Sequence, residues 1–429
     1  MKKNLTLIAL FIFSFNYATD RFVDPNLSSG NGITLFTNIT SAVAAAVNGD
    51  RIIVASNTYN EATLTIDKSL KILPQTSGAT INFNANIVIA GFPGMKLEIL
   101  GFNLGIYSIS TNSIPSGSYN NRAKVCIIDS LSSNIGFDND YYELNLIKSF
   151  TANDVNFRYG NLISNVMNNC YLFDEVNSNI NSMDKIFIVG NTISSSTFIF
   201  NDNYKFIISN NVLKDFFVSK WILDSSQTNY ITNNDFSSNC KIYFACLNGN
   251  APYNGNVNDY IAWNSSLLYN FKFLNNKFLG SVLFARRNTS TVYPNAFGCL
   301  FYGSDLNAVI NVASYSSTLS DWPNVNANGF FDWSYNGLPI QMNGSGSLIF
   351  TNSTGPVNEI DGGNPNHQFY DIDLTINDRG INGGPYSQLN YNPTSNPNNS
   401  KAFIFDLDMP IDLFPGQNVN ITAKGYHKN

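Results

Sequence analysis

A short phrase returns along the middle of this chain: an apolar run, an Asn, one further residue, then a large apolar residue. It stands as Ile188-Val189-Gly190-Asn191-Thr192-Ile193, as Ile207-Ile208-Ser209-Asn210-Asn211-Val212-Leu213, as Ile231-Thr232-Asn233-Asn234-Asp235-Phe236 and as Phe273-Leu274-Asn275-Asn276-Lys277-Phe278. A less regular copy is Val166-Met167-Asn168-Asn169-Cys170-Tyr171. Asn169, Asn191, Asn211, Asn234 and Asn276 are separated by 22, 20, 23 and 42 residues, and 42 is two steps of 21. A fixed period of this size without helical apolar spacing predicts a solenoid of strands. One strand cannot bury its apolar face alone, whereas stacked repeats can. The recurring Asn is expected at a sharp bend. It tolerates left-handed backbone, and its amide can bond to the repeats above and below.

Composition agrees with strands and turns. Of the 429 residues, 44% are hydrophobic and only 13% charged, and there are 33 Phe and 22 Tyr. Asn, Ser and Thr supply the polar surface where a helical protein uses Glu, Lys and Arg. The formal charge of −6 and the lack of a basic run argue against a nucleic-acid partner.

Lys2 and Lys3 precede an apolar stretch, residues 5–15, broken only by Thr6 and Ser14, and Asn16-Tyr17-Ala18 fits a cleavage site. Residues 1–18 therefore read as a signal peptide. The stretch is short for a membrane span, and no later segment is apolar enough for one. The expected location is outside the cytoplasm, secreted or at the cell surface, with the periplasm as a further compartment. The five Cys (126, 170, 240, 246 and 299) are an odd, scattered set. They read as small core residues rather than a disulfide framework.

Thr40-Ser41-Ala42-Val43-Ala44-Ala45-Ala46-Val47 predicts a short helix, about 40–47, capped by Asn38 or Thr40 and ended by Asn48-Gly49. Strand-like runs follow: Asp50-Arg51-Ile52-Ile53-Val54, then Thr58-Tyr59-Asn60-Glu61, then Leu64-Thr65-Ile66-Asp67-Lys68-Ser69-Leu70-Lys71-Ile72. This order resembles the opening of right-handed parallel β-helix proteins, the pectate-lyase-like superfamily, and the Asn phrase resembles that family's stacked-Asn turn. The resemblance covers roughly residues 40–280. It implies an all-β, right-handed parallel β-helix whose N-terminal α-helix plugs the first coil. Asp129 is a further candidate for the Asn column, being 40 residues before Asn169.

Beyond Phe278 the period blurs, and residues 285–335 read as long loops mixed with two or three irregular coils. Ile360-Asp361-Gly362-Gly363-Asn364-Pro365 and Asp371-Ile372-Asp373-Leu374-Thr375-Ile376-Asn377-Asp378-Arg379-Gly380 resemble the closing turn of bacterial β-helix proteins. The low-charge, Asn-rich style with this ending resembles proteins of the Bacteroidetes. The expected organisation is a β-helix over 19–386, then 387–429 as a Ser/Asn/Pro linker and a small β segment pairing Phe403-Ile404-Phe405 with Val419-Asn420-Ile421.

The resemblance implies action on, or binding to, polysaccharides along one sheet. The polygalacturonase-like pattern is missing: the chain has only His367 and His427, and neither Gly-His-Gly nor Asn-Thr-Asp. Lyase members pair calcium-bound carboxylates with a Lys or Arg base. Candidates are Lys220 with Asp224, and Arg286-Arg287 with Asp305. Asp371, Asp373, Asn377 and Asp378 offer closely spaced oxygens for calcium, or else a run of Asx turns. Of four Trp, Trp221 and Trp263 fall in strand-like sequence, while Trp322 and Trp333 fall in loop-like sequence and are the better glycan platforms. The reading favoured is a monomeric, non-catalytic protein that binds a polysaccharide or surface glycan or makes surface contacts. The alternative is a polysaccharide lyase or related carbohydrate-active enzyme.

Overall fold

The structure is a computed structural model. It describes residues 18–114, 121–173, 185–200, 205–220, 229–236, 241–246, 271–279, 282–286, 295–297, 300–302 and 309–314. Beyond these it describes 334–335, 338–339, 341–342, 347–349, 360–361, 370–371, 374–384, 386–387, 403–408 and 422–426. The expected signal peptide lies outside the described residues except for Ala18. The chain divides into two units, the first comprising 1–161 and 167–180, the second 162–166 and 181–429. The described elements are almost all strands, joined mainly in parallel.

In the first unit, strands of one repeat pair in parallel with their counterparts one repeat on. Arg51–Val54 pairs with Lys71–Pro74, Thr58–Tyr59 with Ile81–Phe83, and Leu64–Ile66 with Ile87–Ile89. The same succession continues through Lys96–Leu100, Ala123–Ile128 and Tyr142–Ile147. Alternation explains why these short runs hold: Leu64 and Ile66 are buried while Thr65 is exposed. Register then stacks like on like. Ile72, Ile99, Ile127 and Leu146 form one buried column. Leu64, Ile87, Ile109, Ile135 and Val155 form another. Burying each such side chain contributes about 1.5–3 kcal/mol.

The one described helix, Ile39–Ala45, lies against Asp20–Val23, Leu35–Phe36, Arg51–Val54 and Leu64–Ile66. Asn38 is its N-cap, accepting from the Ser41 N–H at 2.8 Å. The helix ends earlier than 47, with Ala46 as C-cap. Val43 is buried, but Val47, past the end, is 52% exposed and belongs to no core. Two residues of the opening motif complete the helix termini. Glu61 accepts the Ile39 and Thr40 N–H groups at 2.7 and 2.8 Å, and Lys68 Nζ donates to the Val43 and Ala44 carbonyls, both at 2.9 Å. These are backbone groups a helix cannot satisfy internally, each matched with the charge its end favours.

Strand Asp20–Val23 is tied to the same region by a buried ion pair. Arg21 Nε donates to Asp50 Oδ2 at 2.8 Å and the Arg21 guanidinium also donates to the Ile33 carbonyl. Asp50, fully buried, further accepts the Thr19 and Val47 N–H groups at 2.8 and 3.0 Å. Burial pushes the Asp50 carboxyl up, but these two amides and Arg21 outweigh it and hold its pKa below the ordinary value.

In the second unit, Lys185–Val189, Lys205–Ser209, Asn229–Thr232, Phe271–Leu274 and Asn295–Phe297 pair in parallel in that order. A second succession runs from Thr192–Phe200 to Val212–Lys220, then Lys241–Cys246, Val282–Arg286 and Val309–Ser314. Regular pairing therefore continues through Ser314, inside the stretch read as long loops mixed with two or three irregular coils. Val309–Ser314 then pairs antiparallel with Ser347–Ile349, where the parallel pattern stops. The C-terminal strands are Phe403–Asp408 and Thr422–Tyr426, antiparallel, with the second strand just beyond the expected position.

Candidate functional site

Two constructions stand out, one in each unit. In the first, the outward positions of one sheet carry a polar row. Register aligns Lys71 with Glu98, Glu98 with Cys126, and Cys126 with Asn145. A parallel row aligns Lys96, Lys124 and Glu143. Lys71 Nζ lies 3.1 Å from Glu98 and Lys124 Nζ 3.0 Å from Glu143. Asn161 Nδ2 donates to Asn145 Oδ1 at 2.7 Å, and Asn145 Nδ2 donates to Glu143 at 3.1 Å. The side chains are thus oriented by each other at strand spacing, about 4.8 Å. Burial first, then Glu98 and Glu143, push the Cys126 thiol up to about 12, with Lys71 opposing. Cys126 is therefore a neutral member of this face and no nucleophile at neutral pH. Burial likewise pushes up the core thiol of Cys170. The side chains of Cys240, Cys246 and Cys299 lie outside the described residues.

The second construction is the Asn column. Asn165, Asn191, Asn211, Asn234 and Asn276 are all buried, and each Oδ1 from Asn191 onward accepts both the backbone N–H and the Nδ2 of the preceding Asn, at 2.9–3.0 Å. The remaining amide hydrogens of Asn191, Asn211, Asn234 and Asn276 go to the carbonyls of Leu162, Ile188, Ile208 and Ile231. The first rung is Asn165 and not Asn169, whose amide donates instead to Asp154 at 2.8 Å. The phrase was present as Leu162-Ile163-Ser164-Asn165-Val166-Met167. Even spacing favours the wrong copy.

The left-handed backbone belongs to the residue before each rung. Ser164, Gly190, Asn210, Asn233 and Asn275 have φ of 57, 69, 57, 54 and 57°. The bend thus divides its two tasks between adjacent residues. In the first unit Asp129 and Lys148 take the left-handed place, at φ 47 and 50°, so Asp129 is one position off the column. The column places are held by Ser130 and Ser149. Ser149 Oγ accepts the Ser130 N–H at 3.2 Å, and both hydroxyls donate to carbonyls two residues back.

Asn210 and Asn233 carry outward amides that hold residues 374–384 across the bends. Asn210 Nδ2 donates to the Ile381 and Gly383 carbonyls at 2.9 and 2.7 Å. Asn233 Nδ2 donates to Asn377 Oδ1 at 2.7 Å and to the Asp378 carbonyl at 2.8 Å. Gly380 N–H donates to the Asn275 carbonyl at 2.7 Å and Ile381 N–H to Asp235 at 3.1 Å. Gly383 is required: a Cβ there would lie 1.9 Å from the Asp378 carbonyl oxygen and 2.6 Å from Asn233 Nδ2.

No family model, curated protein or solved structure matches this chain.

Of the calcium candidates, Asp373 lies outside the described residues. Asp371 accepts the Asp378 N–H at 2.9 Å and the Gly384 N–H, while Asp378 Oδ1 accepts the Asp361 N–H at 2.8 Å. Asn377 Oδ1 is taken by Asn233. These carboxylate oxygens accept from separate amides 7, 13 and 17 residues away, spans longer than an Asx turn. Among the described residues no group of three His, Cys, Asp or Glu is placed to hold a metal.

Lys220 ends strand Val212–Lys220 opposite Cys246, and Arg286 ends Val282–Arg286 opposite Ser314. The fold thus brings both to C-terminal ends of strands two apart in one sheet. Asp224, Arg287, Asp305 and all four Trp, Trp322 and Trp333 included, lie outside the described residues, as do His367 and His427. The polar row in the first unit was missed by sequence reasoning. Its signal is the charged–apolar–polar–apolar alternation of Lys96-Leu97-Glu98-Ile99, Lys124-Val125-Cys126-Ile127 and Glu143-Leu144-Asn145-Leu146.

Proposed function

We propose that this chain is an exported right-handed parallel β-helix protein that binds a polysaccharide or surface glycan along the outward face of its first unit. One observation carries this: Lys71, Glu98, Lys124, Glu143, Asn145 and Asn161 form a polar row in which neighbouring side chains fix one another. Regularly spaced donors and acceptors with little net charge suit a linear, polyhydroxylated polymer. In this reading, residues 1–18 direct export, the helix Ile39–Ala45 caps the first coil, residues 387–429 are an appendage, and Trp322 and Trp333 add stacking surfaces. Glycan-array and affinity-electrophoresis measurements should show binding by wild type that is lost in Lys71→Ala/Lys124→Ala. A silent array, or binding untouched by that double change, would remove the proposal.

A polysaccharide lyase is the second reading. The observation that favours it is the shared placement of Lys220 and Arg286 at the C-terminal ends of strands two apart in one sheet. A lyase leaves an unsaturated uronate that absorbs in the ultraviolet. Turnover of pectate, alginate or a glycosaminoglycan, lost in Lys220→Ala or Arg286→Ala, would establish it in place of simple binding.

A further inference from the structure

We propose that residues 374–384 are a clasp that locks the bends at Asn210, Asn233 and Asn275 in register, and that its release is the event by which this stack opens between rungs 234 and 276. The rungs themselves show where a lock is needed. Asn191, Asn211 and Asn234 follow one another at 20 and 23 residues, while Asn234 and Asn276 stack directly although 42 residues separate them. Closing the longer interval costs more chain entropy for the same pair of hydrogen bonds, so this step is the weakest in the column. The clasp touches the bends on both sides of it, through the Asn233 amide and the Asn275 carbonyl. It touches the bend before them through Asn210.

The clasp holds by polar contacts. Leu374 is 79% exposed, and the buried residues of the segment include Asn377 and Arg379. A segment held by directed hydrogen bonds with little apolar burial is one that opens locally before the core does. The left-handed positions make the point a second time. Where the clasp lies, the residue before the rung is Asn at 210, 233 and 275; at the other described bends of this unit it is Ser164 or Gly190. Gly satisfies this backbone at lower steric cost than Asn, so the amide at 210 and 233 answers to the clasp.

Hydrogen exchange of the full-length protein tests this. Asn210→Gly and Asn233→Gly keep the left-handed backbone and remove the amide that holds the clasp; at 210 the acceptor of the Ser209 hydroxyl goes with it, so Asn233→Gly is the cleaner variant. Each variant should speed exchange about tenfold in Phe271–Leu274 and Lys277–Leu279, while Thr192–Phe200 and Lys205–Ser209 keep their protection. Gly383→Ala, which displaces the clasp from its own side, should give the same pattern. Uniform acceleration across all four strands, or none in the two later ones, would overturn the proposal.

Discussion

Asn211 uses every polar atom it has. Its Oδ1 accepts two N–H groups from Asn191, its Nδ2 reaches Asn234 and the Ile188 carbonyl, its own N–H goes to Asn234, and its carbonyl accepts from Asp235. Asn211→Leu fits a buried volume but orphans groups on both sides, at about 1–3 kcal/mol for each. A denaturant titration should show a loss of about 3 kcal/mol or more, against a near-neutral result if the column were mere packing. Asp50 is the comparable residue of the first unit. Its folded pKa lies below the unfolded value of about 3.9, so its contribution is fully present above that value and disappears as pH falls through the folded pKa. Asp50→Asn leaves Arg21 buried beside a neutral amide and should cost about 3–5 kcal/mol at pH 7. Melting curves from pH 7 to 3 should show wild type and variant converging below about pH 4.

At the scale of the element, two short segments are held from outside themselves. A helix of seven residues has little intrinsic stability. Its ends are completed by Glu61 and Lys68, both from the strand-rich motif that follows. Glu61→Ala should therefore destabilise the first unit by about 1–3 kcal/mol, read as a shifted denaturation midpoint, although Glu61 lies outside the helix. The clasp is the second such element. Because Asp371 and Asp378 already serve the N–H groups of Asp378, Gly384 and Asp361, millimolar calcium or a chelator should leave the melting temperature unchanged, whereas Asp371→Ala should lower it. A calcium-dependent rise abolished by Asp371→Ala would return the segment to a metal-binding role.

At the scale of the whole molecule, the chain is built by repetition. A stack of strands leaves open edges at its ends unless something covers them. Removing residues 19–48 takes away Asp20–Val23, Leu35–Phe36 and the helix. The product should aggregate, as seen by light scattering; a soluble product with an unchanged melting temperature would count against the helix as a cap. The strands, the bends and most of the Asn column were legible in the sequence. Alternation and the steric demand for a left-handed residue are local properties, written wherever Gly190-Asn191 or Asn233-Asn234 occurs. Asn169 was misplaced because spacing alone cannot tell which of two nearby Asn turns inward. Only register decided that Lys71 meets Glu98 and Lys124 meets Glu143, since a shift of one residue sends every side chain to the other face. The tertiary structure alone joined Asn210 and Asn233 to residues 377–383, partners 144 to 173 positions away along the chain. Backbone sterics act over a few residues and can be read in order. A hydrogen bond between distant amides exists only once stacking has brought its two ends together.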